Sequence, residues 1–192
     1  MILPIIAYGH PVLRKVAEEI PEDYPDLDKL LADMYETMYN AKGVGLAAPQ
    51  IGKPIRIFIV DGSPMEGTLE DGESMEGWKK AFINPTMVEE TGEEWGFDEG
   101  CLSIPDVIEE VYREDTIRIR YQDENFEEHE ETYTGLKARI IQHEYDHLEG
   151  KLFTDYVRGI RKQLIKSKLG KISKGKYTTF YEMKYASKSK QN

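Results

Sequence analysis

The chain has 192 residues, 40% of them hydrophobic, with a formal net charge of −11 and a single cysteine. That is enough for one domain whose core needs no disulfide or metal staple. No apolar run approaches a membrane span, one cysteine cannot form an internal disulfide, and Met1 to Ala7 is too short and lacks the basic leader of a signal peptide. The expectation is a protein of the reducing cytoplasm with no membrane partner. Charge is unevenly spread. Residues 158–192 hold eleven basic residues and one acid, a balance of +10, on a body of −21. Such an asymmetry suits a polyanionic partner, and the alternative is a solvated face with a frayed end.

In chain order, residues 11–19 are predicted as a short helix, with Pro11 first and Val12, Leu13 and Val16 on its apolar side. Residues 25–41 form a stronger one, with Leu27, Leu30, Leu31, Met34 and Met38 on a single core-facing side. The segment from Gly43 to Gly52 is glycine-rich, but a helix precedes it and a strand at 55–60 follows. That order is wrong for a phosphate loop. Glycines there either let a backbone approach an extended peptide closely or serve a tight turn.

Residues 61–80 read as a long, mobile surface loop. Strands are predicted at 81–88, interrupted by Asn84-Pro85, and at 107–112, 116–122 and 126–133, the last two as a hairpin. Thr154 or Asp155 caps a further helix to about Leu169, with Ile160, Leu164 and Ile165 apolar. Residues 174–187 form a last strand or a docked arm, and the Ser/Lys-rich end reads as disordered. Strands in the middle, helices towards the ends and no βαβ alternation give an α+β fold of mostly antiparallel sheet. The sheet is expected around the helix that follows it.

That helix carries His143-Glu144-Tyr145-Asp146-His147, and two of the chain's four histidines are in it. Leu136, Ile140, His143 and His147 follow at helical spacing, Thr134 stands at the N-cap position and Gly150 closes the C-terminus. Histidines one turn apart face the same way and can share a metal ion, and the glutamate between them is placed to take a proton from water. A third ligand is needed. Phe153 stands where one version of this motif has a further histidine. For the version that takes a glutamate a few dozen residues on, Glu182 is the only one beyond Glu149 and lies in a Lys/Tyr-rich tail. Upstream, Cys101 lies in the glycine-flanked stretch Glu99-Gly100-Cys101-Leu102-Ser103. A thiolate and two imidazoles leave a fourth tetrahedral position open, the catalytic arrangement. The alternative for Cys101 is a buried bystander thiol.

Three stretches together, Gly43-Val44-Gly45-Leu46-Ala47-Ala48-Pro49-Gln50, Glu99 to Ser103 and Gln142 to Gly150, resemble the bacterial-type peptide deformylases over about residues 4–170. The resemblance implies a single catalytic domain over 1–170, with 171–192 as a partly ordered basic extension. It implies hydrolysis of the N-formyl group from the formylmethionine of newly made polypeptides, with release of formate. Cys101, His143 and His147 would hold one divalent metal, ferrous iron in the native state, with zinc, nickel or cobalt able to replace it. Glu144 would act as base and then acid, while Gln50 and the backbone N–H of Leu102 steady the oxyanion. Val44, Gly45 and Gly100 would line the substrate, and Leu136 and Ile140 an apolar methionine pocket, or else plain core. His10-Pro11 stands where the family often has Asp-Pro, so a helix N-cap is expected to be lost.

The resemblance implies formylated nascent peptides as partners. The charge asymmetry, not the resemblance, adds docking on ribosomal RNA through the basic C-terminal segment as an expectation, and no direct DNA role is expected. Two rivals remain. A peptidase would use the same metal and base in a site open to internal peptide bonds. A binding protein with a structural metal would need four protein ligands, where three are found.

Overall fold

The computed structural model describes residues 1–69 and 72–186; the expected disorder at the Ser/Lys-rich end concerns residues largely outside that range. Five antiparallel strands form the main sheet in the order β2 (Gly45–Ala47), β3 (Ile57–Asp61), β4 (Lys79–Cys101), β5 (Ile104–Gln122) and β6 (Glu128–Thr134). Side chains alternate across it. Leu46, Ile57, Ile59 and Ile83 face α1 (Leu27–Asn40), which buries Leu27, Leu30, Leu31, Met34 and Met38 against them. Phe58, Val60, Phe82, Ile117 and Ile119 face α2 (Gly135–Leu148), the helix with the two histidines. The fold is α+β, with α2 central.

Several expectations shift. Only Pro11–Arg14 is helical, as one 3-10 turn; beyond it Ala17 donates to Leu148 O and Glu18 bridges to Ile55 in extended form. His10 restores the cap, because its Nδ1 accepts the Val12 N–H at 3.2 Å. Thr134 occupies the α2 N-cap position, yet its side chain makes no capping bond. Gly150 has φ +70°, and a Cβ there would press on the Arg14 backbone, so glycine is required.

The strands expected to be separate are two long ones. β4 spans 23 residues and β5 spans 19, and register shifts near Asn84 and near Glu89 bend rather than break them. In the stretch expected to be a mobile loop, the described residues 61–69 and 72–80 are anchored: Met75 and Trp78 are buried in the core, and Glu66 accepts N–H groups from Met75 and Glu76. The late helix, α3 (Gly159–Ser173), starts after a separate 3-10 turn at Phe153–Tyr156 and runs past residue 170. Ile165 and Ile172 are buried, but Ile160 and Leu164 are 75% and 61% exposed, opposite to their expected place. The chain then returns as β7 (Met183–Lys184), parallel to β1 (Ile5–Ile6). Among the described residues, no helix is long and apolar enough to cross a membrane.

Candidate metal centre and catalytic cleft

Cys101 ends β4 and pairs with Ile104, so Leu102 and Ser103 form a two-residue hairpin turn. A register shift between Glu99 and Cys101 re-aims the strand end, as bulges do. The turn thereby brings Cys101 to α2. Its Sγ lies 3.4 Å from His147 Nε2, and one ligand atom from each of Cys101, His143 and His147 falls within 4.8 Å of the others. With metal–sulfur and metal–nitrogen bonds of about 2.3 and 2.1 Å, a tetrahedral edge is about 3.6 Å, so the observed spacing suits donors around one ion. Thiolate and imidazole favour borderline transition metals over calcium or magnesium. The residues fit the ion that the motif implies.

One of the two histidines is held from behind, while the buried Nδ1 of His147 has no partner among the described residues. His143 Nδ1 bonds Glu99 Oε1 at 2.9 Å, which turns its Nε2 towards the centre. Glu99 in turn accepts from Arg113 Nε at 2.8 Å and Arg139 Nη1 at 2.9 Å, and Arg113 Nη1 reaches Asp146 Oδ2 at 2.8 Å. Burial alone would raise the Glu99 carboxyl, but hydrogen bonds from His143 and Arg113 hold it well below the ordinary range. Burial lowers His147 well below its usual value, which keeps the ring neutral and able to ligate. Burial also opposes charge on His143, yet Cys101 and Glu99 draw a positive charge to it and raise it well above normal. A metal ion answers the same demand for positive charge.

Glu144 is buried beside this centre, and its Oε2 has no hydrogen-bond partner. Burial pushes its carboxyl up to about 7, against the pull of His143. A group poised near neutrality can take and return a proton. Its place depends on Gly45, where a Cβ would overlap the Glu144 carboxylate. Gly43 similarly leaves room for Leu102, since a Cβ there would stand 2.7 Å from Leu102 Cδ1. Gln50 has its amide fixed: Oε1 accepts Ala47 N–H at 2.9 Å, which turns Nε2 to Ser103 Oγ at 3.1 Å and Cys101 Sγ at 3.4 Å.

These groups open on a cleft of ≈ 650 Å³ lined by Val44, Gly45, Gln50, Gly100, Cys101, Leu102, Ile140, His143 and Glu144. The volume suits a ligand of several groups. β2, the edge strand of the sheet, lies along it with Gly45 in its wall. Leu136 does not reach the cleft. It packs a turn earlier in the α2 core, and of the two expected pocket residues Ile140 alone lines the space. Sequence reasoning gave no role to Glu99, Arg113, Arg139 or Asp146. Glu99, two residues before Cys101, and Arg139, four before His143, carry a positional signal; Arg113, on the strand opposite, carries none.

A cysteine sulfur, two imidazoles of which His143 is buttressed by Glu99, and an unpartnered buried carboxylate beside one cleft define a metal-dependent hydrolase centre of the H-E-x-x-H type. The family model described as polypeptide deformylase matches residues 2–163. The chain belongs to that family, whose members are metal-dependent hydrolases that remove the N-formyl group from newly made polypeptides. It is 56% identical over 194 residues to a peptide deformylase of Christiangramia forsetii, across 99% of both chains. It is 57% identical to one of Flavobacterium psychrophilum, across 99% of this chain and all of that one. The crystal structure of peptide deformylase from Thermotoga maritima matches with a TM-score of 0.73 and 37% identity, over 83% of this chain and 99% of that one.

Proposed function

We propose that this chain hydrolyses the N-formyl group of formylmethionyl nascent peptides, with Cys101, His143 and His147 holding ferrous iron and Glu144 carrying the proton. Zinc, nickel or cobalt can take the same donors. One observation carries the reading: the buried Glu144, with a free carboxylate oxygen, stands beside three convergent ligand atoms in a cleft. When bound, a divalent ion supplies Lewis acidity toward water and the formyl oxygen. Glu144 takes a proton from the attacking water and passes it to the nitrogen, so that the product leaves as a neutral amine rather than an anion. Gln50 Nε2 and the Leu102 N–H donate to the formyl oxygen as it gains negative charge. The backbone at Val44 and Gly45 pairs with the extended substrate along the sheet edge, and Gly100 leaves the opposite wall open. Ile140 faces the methionine side chain. Because nascent chains are the substrate, the cytoplasm is the assigned location.

The test is Glu144→Gln, which keeps the shape and removes the base. Metal content per chain should match the parent while formate release falls by about 10²–10⁴-fold, nearly all of it in kcat. Near-parental turnover with the metal in place would assign the proton to another group.

A finer part of the proposal concerns α3. Its positive charge suits docking on ribosomal RNA, which would raise the local concentration of nascent chains around the enzyme. Arg161 is engaged by Glu109 at 2.8 Å, and Lys168 donates to the Asp106 carbonyl. Among the described residues Lys162, Lys166 and Lys171 have no ion pair, so they carry the docking role.

A further inference from the structure

The two-residue turn that aims Cys101 is held by both ends of the chain. Tyr8 N–H donates to Ser103 O at 2.8 Å, and the Tyr181 hydroxyl donates to Leu102 O at 2.7 Å. Both donors flank the small parallel sheet, in which Ile5 N–H bonds Glu182 O and Ala7 N–H bonds Lys184 O, each at 2.9 Å. The arm from Tyr177 to Tyr185 is further tied by Tyr185, whose hydroxyl reaches Tyr177 O at 2.7 Å, and by Tyr177 on the Asp106 carboxylate. Its residues Thr178 to Tyr181 form part of the cleft wall. The chain's last described segment therefore touches the backbone next to the metal ligand, although it lies 80 residues away from Cys101 in sequence.

We infer that Tyr181 is a positioning residue: its hydroxyl, on the Leu102 carbonyl, fixes the hairpin turn that aims the Leu102 N–H and the Cys101 sulfur into the cleft. The inference rests on the roles proposed for Cys101 and Leu102. In so short a turn the Leu102 carbonyl cannot rotate without moving the peptide before it, which carries the N–H. Gln50 anchors the turn through side chains alone, Ser103 Oγ at 3.1 Å and Cys101 Sγ at 3.4 Å, and so leaves that carbonyl untouched. Small misplacements of a catalytic donor cost rate steeply. The arm thus acts on the chemistry as well as on the wall.

Tyr181→Phe in the full chain removes one oxygen and keeps the ring. Tyr177→Phe is the control, since it removes a hydroxyl from the same arm that ends on Asp106 instead of the turn. For Tyr181→Phe, metal content and thermal midpoint should stay parental and KM should change less than twofold. Its kcat on a short formyl-Met peptide should fall about three- to tenfold, the scale of one hydrogen bond. Amide hydrogen exchange at residues 101–103 should quicken by a similar factor. Tyr177→Phe should keep the parental kcat and the parental exchange at 101–103. Unchanged exchange at 101–103 in Tyr181→Phe overturns the inference, as does a loss of kcat shared equally by both variants together with a lowered midpoint. If the parent itself releases no formate, the proposed function fails, and the exchange measurement still decides whether Tyr181 holds the turn.

Discussion

Gly45 leaves the space that Glu144 fills. A Cβ at that position would lie 2.8 Å from Glu144 Cδ and 2.9 Å from Cγ, so the side chain would have to shift. Gly45→Ala should therefore displace the carboxylate while leaving Cys101, His143 and His147 in place. We expect kcat to fall by about 10²-fold, the cost of a 1 Å misplacement, with metal content unchanged; steady-state kinetics and metal analysis check it. Parental kcat would mean that Glu144 is not confined as described. Residues of this kind were half legible in the sequence. A histidine pair at helical spacing and a lone cysteine declare their chemistry, because few other roles need those types in that pattern. Gly45 declared a close approach to an extended peptide or a tight turn; that its missing side chain also makes room for Glu144, 99 residues later, required the fold.

At the scale of elements, α2 is useful only because β4 and β5 hold it from below. Arg113 on β5 bridges Glu99 of β4 and Asp146 of α2, with both ion pairs almost free of solvent. Removing one partner of such a pair leaves buried charge uncompensated. Arg113→Met should lower stability by about 3–5 kcal/mol in denaturant titrations at neutral pH. The pH dependence has a definite sign. Glu99 is depressed in the folded state from its ordinary 4.5, so its contribution is full above that value and drains away as pH falls below it. The variant should therefore show a shallower loss of stability from pH 5 downward than the parent. An equally steep loss would place the acid-sensitive contacts elsewhere.

The long strands themselves were hard to read. From Glu89 to Glu94 every residue of β4 is exposed, so polar residues broke the alternation that marks a half-buried strand. Trp78 and Met75 were likewise lost in a polar stretch whose carboxylate, Glu66, folds it onto the core. The α1 stripe was legible because one face of a helix is buried along its whole length.

At the scale of the whole molecule, an acidic body carries a basic helix at its end. Long-range repulsion from the body opposes RNA, and the docking proposal needs α3 to overcome it locally. Reversing Lys162, Lys166 and Lys171 to Glu spares the contacts that Arg161 and Lys168 make with the β5 side of the domain. Co-sedimentation with ribosomes at low salt should then drop several-fold, while turnover of short formyl peptides stays parental. Equal co-sedimentation would leave α3 as a solvated face, and its exposed Ile160 and Leu164 would need another reason.

The central claim is that the cleft removes formyl groups and does not open internal peptide bonds. Its most direct measurement pairs a formyl-Met tripeptide with the same tripeptide unformylated. Both are incubated with protein purified without oxygen, and formate and free amine are counted together. The account predicts one formate and one new N-terminus per formylated peptide, with no product from the other. Cleavage inside the unformylated peptide, or a new N-terminus without formate, would contradict it.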